Sequence, residues 1–315
     1  MTKSRKKTAS DKAIDVSIVG GGPAGISALL WARKLGLRSL LIEREAELGG
    51  QLHSIFNPIT DYPGRETRGG GEMLRHFKKS LGDAGRSIIF GSSVEKIDVQ
   101  RRELCLASGR LIQAKAIILA MGVRRRRLNI PGESEFAGKG ILTSGAKEQL
   151  SLKGKRVAIV GGGDAAFENA LILSKAAKRV YLIHRRAEFR ARPEFVSRVQ
   201  NNKRIEIVND SLVTSIAGDD RLRSICVKEK TSPAIRDLEV DALLIRIGVQ
   251  PNSELARGKV TLDAAGYIIV DSRCQTSQPN LFAVGDIANP LSPTLATSAG
   301  TGASAAQSAV KLFSR

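Results

Sequence analysis

Residues 15–43 read DVSIVGGGPAGISALLWARKLGLRSLLIE. Val16, Ile18 and Val19 predict a strand, Gly20-Gly21-Gly22-Pro23-Ala24-Gly25 a turn, and Ile26, Leu29 and Leu30 the apolar face of a helix. Leu40-Leu41-Ile42 then predict a second strand that ends on Glu43. Strand, glycine turn, helix, strand and terminal acid, in that order, make a dinucleotide-binding βαβ unit. Gly20 allows a tight exit from the strand, Gly22 lets a pyrophosphate approach the backbone, and Gly25 lets the helix lie close to the sheet. The helix N-terminus offers unpaired N–H groups and a positive dipole end to phosphates. Glu43 is placed to accept hydrogen bonds from a ribose diol. A glycine turn alone is common; the flanking strands and the acid make this one specific.

Further along, the chain repeats itself. Val157-Ala158-Ile159-Val160 reads as a strand, Gly161-Gly162-Gly163-Asp164-Ala165-Ala166 as a glycine turn, Phe167 to Lys175 as a helix and Val180 to Ile183 as a strand. Gly20 to Glu43 and Gly161 to His184 both span 23 positions, so the two units superpose in register. His184 therefore stands where the first unit has its ribose acid, and Arg185, Arg186 and Arg190 follow it. An acid there would repel a 2′-phosphate, whereas guanidinium groups grip one bidentately. This pattern predicts NADPH rather than NADH, with Gly161, Gly163, Asp164, Ala165, Ala166, His184, Arg185, Arg186 and Arg190 as the nucleotide site. A solvated basic loop is the competing reading for Arg190.

Between the repeats, a helix is expected from about Gly71 to Leu81. Segments at Ser87–Phe90, Val94–Val99 and Glu103–Leu106 suggest a small antiparallel excursion. Tyr267–Val270 and Leu281–Val284 read as strands rejoining the first sheet, the second ending in Gly285-Asp286, and an Ala/Ser/Gly-rich helix is expected from about Thr297 to Leu312. The resulting fold class is α/β: two Rossmann-like, three-layer ββα nucleotide-binding domains, the second inserted into the first. The expected divisions are a disordered basic arm over residues 1–13, a discontinuous dinucleotide-binding domain over 14–123 and 250–315, and an NADPH-binding domain over 124–249.

The 315 residues carry a formal charge of +19, which suits an acidic protein partner, nucleic acid or an anionic surface. Charge alone does not choose. Arg124-Arg125-Arg126-Arg127 has no interleaved aromatics, which argues against nucleic acid. Cys105, Cys226 and Cys274 form no CxxC or metal-ligand spacing. With no apolar run long enough to span a membrane and a polar, basic start to the chain, a reducing cytoplasmic setting is expected.

From Val16 to Leu312 the chain resembles the low-molecular-weight thioredoxin reductase family of FAD- and NADPH-dependent flavoproteins. The resemblance implies that Gly20, Gly22, Pro23, Ala24, Gly25, Glu43 and Arg44 hold the FAD pyrophosphate and ribose. It implies that Gly50, Gln51, Leu52, Gly122, Leu295 and Ala296 flank the flavin, and that Gly285 and Asp286 hold its ribitol. It also implies a homodimer. One departure stands out. Where the family has its redox-active C-x-x-C and acid, an ungapped count places Ser144-Gly145-Ala146-Lys147-Glu148. Ser144 and Lys147 cannot cycle through a disulfide, so no side chain is assigned a catalytic role. Met121, and Pro293-Thr294-Leu295 beside the flavin, are lesser departures. The expected activity is hydride transfer from NADPH to FAD and onward without a protein dithiol. The acceptor is an acidic carrier such as ferredoxin or flavodoxin, a quinone, oxygen or a small disulfide. A redox sensor or binding module that does not turn over is the alternative from another class.

Overall fold

The computed structural model describes residues 14–230, 232 and 235–312. The expected basic arm over residues 1–13 lies outside the described residues. The chain divides into two compact units, Met1–Arg124 with Gln250–Arg315, and Arg125–Val249.

The first unit opens on β1 (Ile14–Val19), α1 (Pro23–Lys34) and β2 (Ser39–Ile42). It continues through α2 (Gly70–Leu81), β3 (Ile88–Ile89), β4 (Val94–Asp98), β5 (Glu103–Leu106) and β6 (Leu111–Leu119). β1 pairs in parallel with β2 and β6, and β3 extends the sheet beyond β2. Alternate residues of β1 face opposite layers. Val16 and Ile18 pack with Ile26 and Leu29 of α1 and Met73 and Leu74 of α2, whereas Val19 packs with Ile97, Leu104 and Ile112. This gives the three layers: helices, parallel sheet and antiparallel excursion.

The sequence expectation needs correction at Ser87–Phe90. Ile88 and Ile89 join the parallel sheet, and the third strand of the excursion is the start of β6, which pairs antiparallel with β5. A two-residue edge strand carries too little alternation to reveal its partner.

The chain crosses into the second unit at β7 (Val123–Arg125). There follow β8 (Ile141–Leu142), α3 (Gly145–Glu148), β9 (Arg156–Val160), α4 (Asp164–Leu173), β10 (Arg179–Ile183), α5 (Pro193–Gln200) and β11 (Ile205–Val208). A meander of β12 (Ser211–Gly218), β13 (Leu222–Glu229) and β14 (Ile235–Glu239) precedes β15 (Ala242–Ile245). The parallel sheet runs β11-β10-β9-β15-β8. Val157 and Ile159 of β9 pack against α4 and α5; Ala158 and Val160 pack against the meander. The second unit thus repeats the layers of the first, as the register of the glycine turns predicts.

β16 (Val249–Pro251) returns the chain to the first unit, where β17 (Leu281–Ala283) pairs in parallel with β6. Tyr267–Val270 does not rejoin the sheet. Its Ile268 makes an isolated bridge to Leu262, and Asp263 caps the intervening turn by accepting from Ala265 and Tyr267 N–H. The Tyr267, Ile268 and Ile269 N–H groups donate to Asp263, to Ile287 O and to Thr261 O, which leaves no sheet ladder for them. α6 (Leu295–Val310) begins two residues earlier than expected, because Thr294 and Thr297 form a reciprocal cap.

Candidate functional site

The first unit contains a cavity of about 1190 Å³ at the carboxyl ends of β1, β2 and β6. Its floor is the glycine turn. Gly20 has φ +104°, and a Cβ there would strike the Ala120 carbonyl. A Cβ on Gly25 would strike the Gly20 carbonyl, so α1 can meet the turn only with glycine at that position. Gly22 faces nothing within 4 Å, leaving its backbone open to a ligand. Pro23, at the first helical position, has no N–H to orphan.

Glu43 is buried at the end of β2. Its Oε2 accepts from Gly21 N–H at 2.5 Å and its Oε1 from Glu45 N–H at 2.9 Å. The acid therefore fixes the turn while retaining lone pairs for a diol. Gly49 N–H donates to Gly21 O at 2.9 Å, which seats the Gly50–Ser54 helical turn over the glycines. From that turn Gln51 Nε2 donates to Asp286 Oδ2 at 2.7 Å, and Ser298 Oγ donates to Asp286 Oδ1 at 3.3 Å. Burial pushes the Asp286 carboxyl up, while Gln51 and Ser298 pull it part of the way back. α6 presents its N-terminus at the same cavity through Thr294, Leu295 and Ser298.

Of the residues expected to hold FAD, Gly20, Gly22, Pro23, Ala24, Glu43, Arg44, Gly50, Gln51, Leu52, Gly122, Gly285, Asp286 and Leu295 line this cavity. Gly25 and Ala296 do not; Gly25 acts through the close helix contact. A cavity of this size, an open glycine backbone at one end and two acids held by backbone and side-chain donors fit a flavin dinucleotide. Met121, Arg124, Asn252 and Glu254 also line it, and sequence reasoning missed the last three. Arg124 pairs with Glu254 and donates to Asn252 Oδ1 at 2.7 Å; Asn252 Nδ2 donates to Met121 O at 2.7 Å. The only sequence signal for this network is the turn dipeptide Pro251-Asn252.

In the second unit, Gly161-Gly162-Gly163 turns from β9 into α4. The His184 ring lies where a side chain on Gly162 would be, and its Nε2 donates to Glu188 O at 3.0 Å. It packs on Phe189, which meets Phe167 edge-on. Burial first, then the Arg185 and Arg186 charges, push the imidazole below its ordinary range, while the Glu188 contact opposes them. Arg185, Arg186 and Arg190 are exposed around the turn, and Arg190 N–H donates to Gly162 O at 2.8 Å.

Two expected contacts have other duties. Asp164 accepts from Arg192 N–H at 2.7 Å and from Arg192 Nε at 2.9 Å, holding the arginine loop onto the turn. Ala166 is buried in the core, and its N–H is bonded to Gly163 O.

Ser144, Lys147 and Glu148 form a capped helix turn. Ser144 is buried, and its Oγ accepts from Lys147 N–H at 3.5 Å. Glu148 Oε2 accepts from Thr143 N–H at 3.1 Å and from Ser144 N–H at 3.0 Å. Lys147, not an acid, holds the third helical position, so the Ser-x-x-Glu start signal is absent and Glu148 closes the turn from one position further on. All three cysteines are free. Burial raises the Cys274 thiol to about 11, which leaves it unreactive. Among the described residues no group of His, Cys, Asp or Glu could hold a metal, and no helix is long and apolar enough to cross a membrane.

Residues 14–309 match the family model described as pyridine nucleotide-disulphide oxidoreductase. A thioredoxin reductase of Spironucleus barkhanus is 35% identical over 293 residues, covering 92% of this chain and 95% of the relative. A 34.2 kDa protein in the rubredoxin operon of Clostridium pasteurianum is 29% identical over 302 residues, covering 96% and 97%. Among solved structures, Lactococcus lactis thioredoxin reductase superposes with a TM-score of 0.82 at 30% identity, covering 95% of this chain and 98% of that one.

Proposed function

We propose that this chain, which belongs to the pyridine nucleotide-disulphide oxidoreductase family, is an NADPH-oxidising flavoenzyme that delivers electrons to its acceptor without a protein dithiol. The observation that carries the reading is the Ser144 cap: the place the resemblance assigns to the dithiol holds a serine hydroxyl bonded to backbone and a lysine. Bound FAD would supply acceptance of the hydride and release of the electrons. The protein's part is binding and orientation. Glu43 and the glycine turn would hold the ribose and pyrophosphate. Asp286, steadied by Gln51 and Ser298, would hold the ribitol, and the α6 N-terminus would favour negative charge nearby. Arg185, Arg186 and Arg190 would grip a 2′-phosphate, with the His184 ring packed against the glycine turn beside them.

For the acceptor, an acidic electron-carrier protein is favoured by the +19 charge and by the similarity to a protein of a rubredoxin operon. Steering by surface charge is screened beyond roughly 8 Å at physiological ionic strength, so turnover with such a carrier should fall steeply with salt. A quinone, oxygen or small neutral disulfide would show no such fall. A cytoplasmic homodimer completes the reading, and sedimentation would test the dimer.

The deciding experiment is an anaerobic titration followed at the flavin absorbance, with thiols counted before and after. With FAD as the only store, one NADPH per flavin completes the reduction. A second equivalent accompanied by two new thiols would overturn the dithiol-free reading, and a flavin that does not bleach would make the chain a binding module.

A further inference from the structure

We propose that Arg125 and Arg246 form an oxyanion site in the second unit, taking a phosphate or carboxylate group at the crevice beside Thr143 and Ser144. The site stands on the geometry of this unit alone; the nucleotide enters only as one of two sources of the anion.

Its place follows from topology. From β9 the chain moves outward to β10 and β11, then returns on the other side of β9 through β15, so the strand order reverses between β9 and β15. Ligands of open α/β sheets bind in the crevice outside the carboxyl ends of the strands at such a reversal. Arg246 directly follows β15, and its N–H donates to Val160 O at 2.7 Å, at the end of β9. Thr143 directly follows β8, the neighbour of β15.

Two guanidinium groups meet there on a single neutral acceptor. Arg125 Nη1 donates to Thr143 O at 2.7 Å and Arg246 Nη2 to the same oxygen at 3.0 Å. Arg246 Nη1 also donates to Ile245 O at 2.9 Å. Among the described residues neither group has a carboxylate within ion-pair distance, whereas their neighbours Arg124 and Arg127 pair with Glu254 and Glu133. The one nearby acid, Glu148, spends its carboxylate on the Thr143 and Ser144 amides. Burial, with Arg125 repulsion behind it, brings Arg246 down to about 10, and burial lowers Arg125 as well, while the Glu148 charge opposes the shift at both.

Arg125 is exposed and Arg246 half-buried, and besides the one Glu148 charge they share a single carbonyl, whose dipole cannot neutralise two cations. Each guanidinium has five donors, so most of this set is free of protein acceptors. Donors from two planar forks suit an anion with several oxygens. A strap that merely ties Arg125 and Arg246 to the Thr143 backbone would need neither both charges nor the forks.

The probe is inorganic phosphate, titrated calorimetrically into the oxidised holoprotein at constant ionic strength. The Arg185→Ala/Arg186→Ala background removes the other basic cluster of this unit. One saturable site is expected. Arg125→Gln and Arg246→Gln should each weaken it roughly tenfold or more, and Arg221→Ala, on an exposed turn, should leave it unchanged. Glu148→Gln should tighten it by removing the one nearby negative charge. If the glutamine variants fail to fold, Arg125→Lys and Arg246→Lys keep the charge and lose the fork, and should weaken binding several-fold. A repeat with NADPH saturating distinguishes the sources. Loss of the phosphate site assigns it to a phosphate of the nucleotide; persistence assigns it to a separate acid, the expected second ligand. Absence of saturable binding, or binding indifferent to the Arg125 and Arg246 substitutions, overturns the proposal. The readout is binding, so it stands whether or not the flavin is reduced by NADPH.

Discussion

Replacing Glu148 separates a structural from a catalytic role at the Ser144 helix turn. In Glu148→Ala two backbone amides, Thr143 N–H and Ser144 N–H, lose the acceptor they share at 3.1 and 3.0 Å. The two losses are unequal. Thr143 is exposed, so its amide can turn to water at a cost of about 1 kcal/mol; Ser144 is buried, and an unsatisfied buried amide costs about 1–3 kcal/mol. The sum is about 2–4 kcal/mol. For a unit spanning Arg125–Val249 that corresponds to a fall in melting temperature on the order of 10 °C. Glu148→Gln keeps one oxygen to accept and should lose about half as much. Calorimetry of the holoprotein would resolve this as a lowered transition of the second unit, the first unit's flavin-bound transition staying in place. Stopped-flow flavin reduction by NADPH, below the new transition, should retain its rate and pH profile. A variant that melts like the unmutated protein but has lost a pH-dependent step would refute the assignment and restore Glu148 as a proton donor.

Three further outcomes follow from the geometry. Gly25→Ala forces a methyl into the Gly20 carbonyl, so α1 must shift; a loss of about 1–3 kcal/mol together with FAD released on gel filtration is expected, and a fully flavinated variant would contradict the close-approach account. Arg185→Ala with Arg186→Ala should remove most of the preference for NADPH over NADH in flavin reduction, two exposed charge-assisted contacts at the low end of about 1.5 kcal/mol each giving roughly a 150-fold change; equal rates in the unmutated protein would sink the 2′-phosphate grip. Asp286 has a folded pKa raised by burial, so between the ordinary value of 3.8 and the raised one the folded flavin-free protein binds more protons than the unfolded chain, and stability falls as pH rises through that window. Asp286→Asn should flatten this fall in the flavin-free protein while weakening FAD retention, and urea titrations across the acid range would show whether it does.

The parts of this fold legible in the sequence are those where one residue type answers one backbone requirement. Gly20, Gly25 and Glu43 are of this kind, as is the register that sets His184 opposite Glu43. Each places a steric or hydrogen-bonding demand on a single position. Tyr267–Val270 carries apolar β-formers, yet its N–H groups are held by Asp263, Ile287 and Thr261 rather than by a neighbouring strand. The start of α6 is hard to see in sequence because its cap uses Thr297 in the place where an acid or glutamine is the usual signal. Arg125 and Arg246 lie far apart in sequence; the pairing of β8 with β15 sets Thr143 beside Arg246, and Arg125, at the end of β7, reaches the same Thr143 carbonyl. No local pattern announces such a pair. Asp164 and Ala166 show the converse: both sit in the glycine-turn motif, yet their groups are spent on the Arg192 loop and the core.

The change at Ser144 also bears on whether this site has decayed. Random loss of a redox pair would leave a helix start with poorer capping and an acid without a partner. Here the hydroxyl accepts from the amide three residues on, and the acid closes the turn from the other side by accepting from Thr143 and Ser144. Serine is among the preferred N-cap residues, and its removal costs about 0.5–2 kcal/mol. The segment has therefore kept its local fold by hydrogen bonds that need no sulfur. Its carbonyl at Thr143 then serves as the point on which two arginines converge. A dithiol there would put a nucleophilic thiolate next to those cations; serine leaves the charge available to a ligand. In this chain Ser144 and Thr143 form a rigid edge of the proposed anion crevice. Glu148→Gln measures that directly, since it should weaken the fold and strengthen the anion site at once.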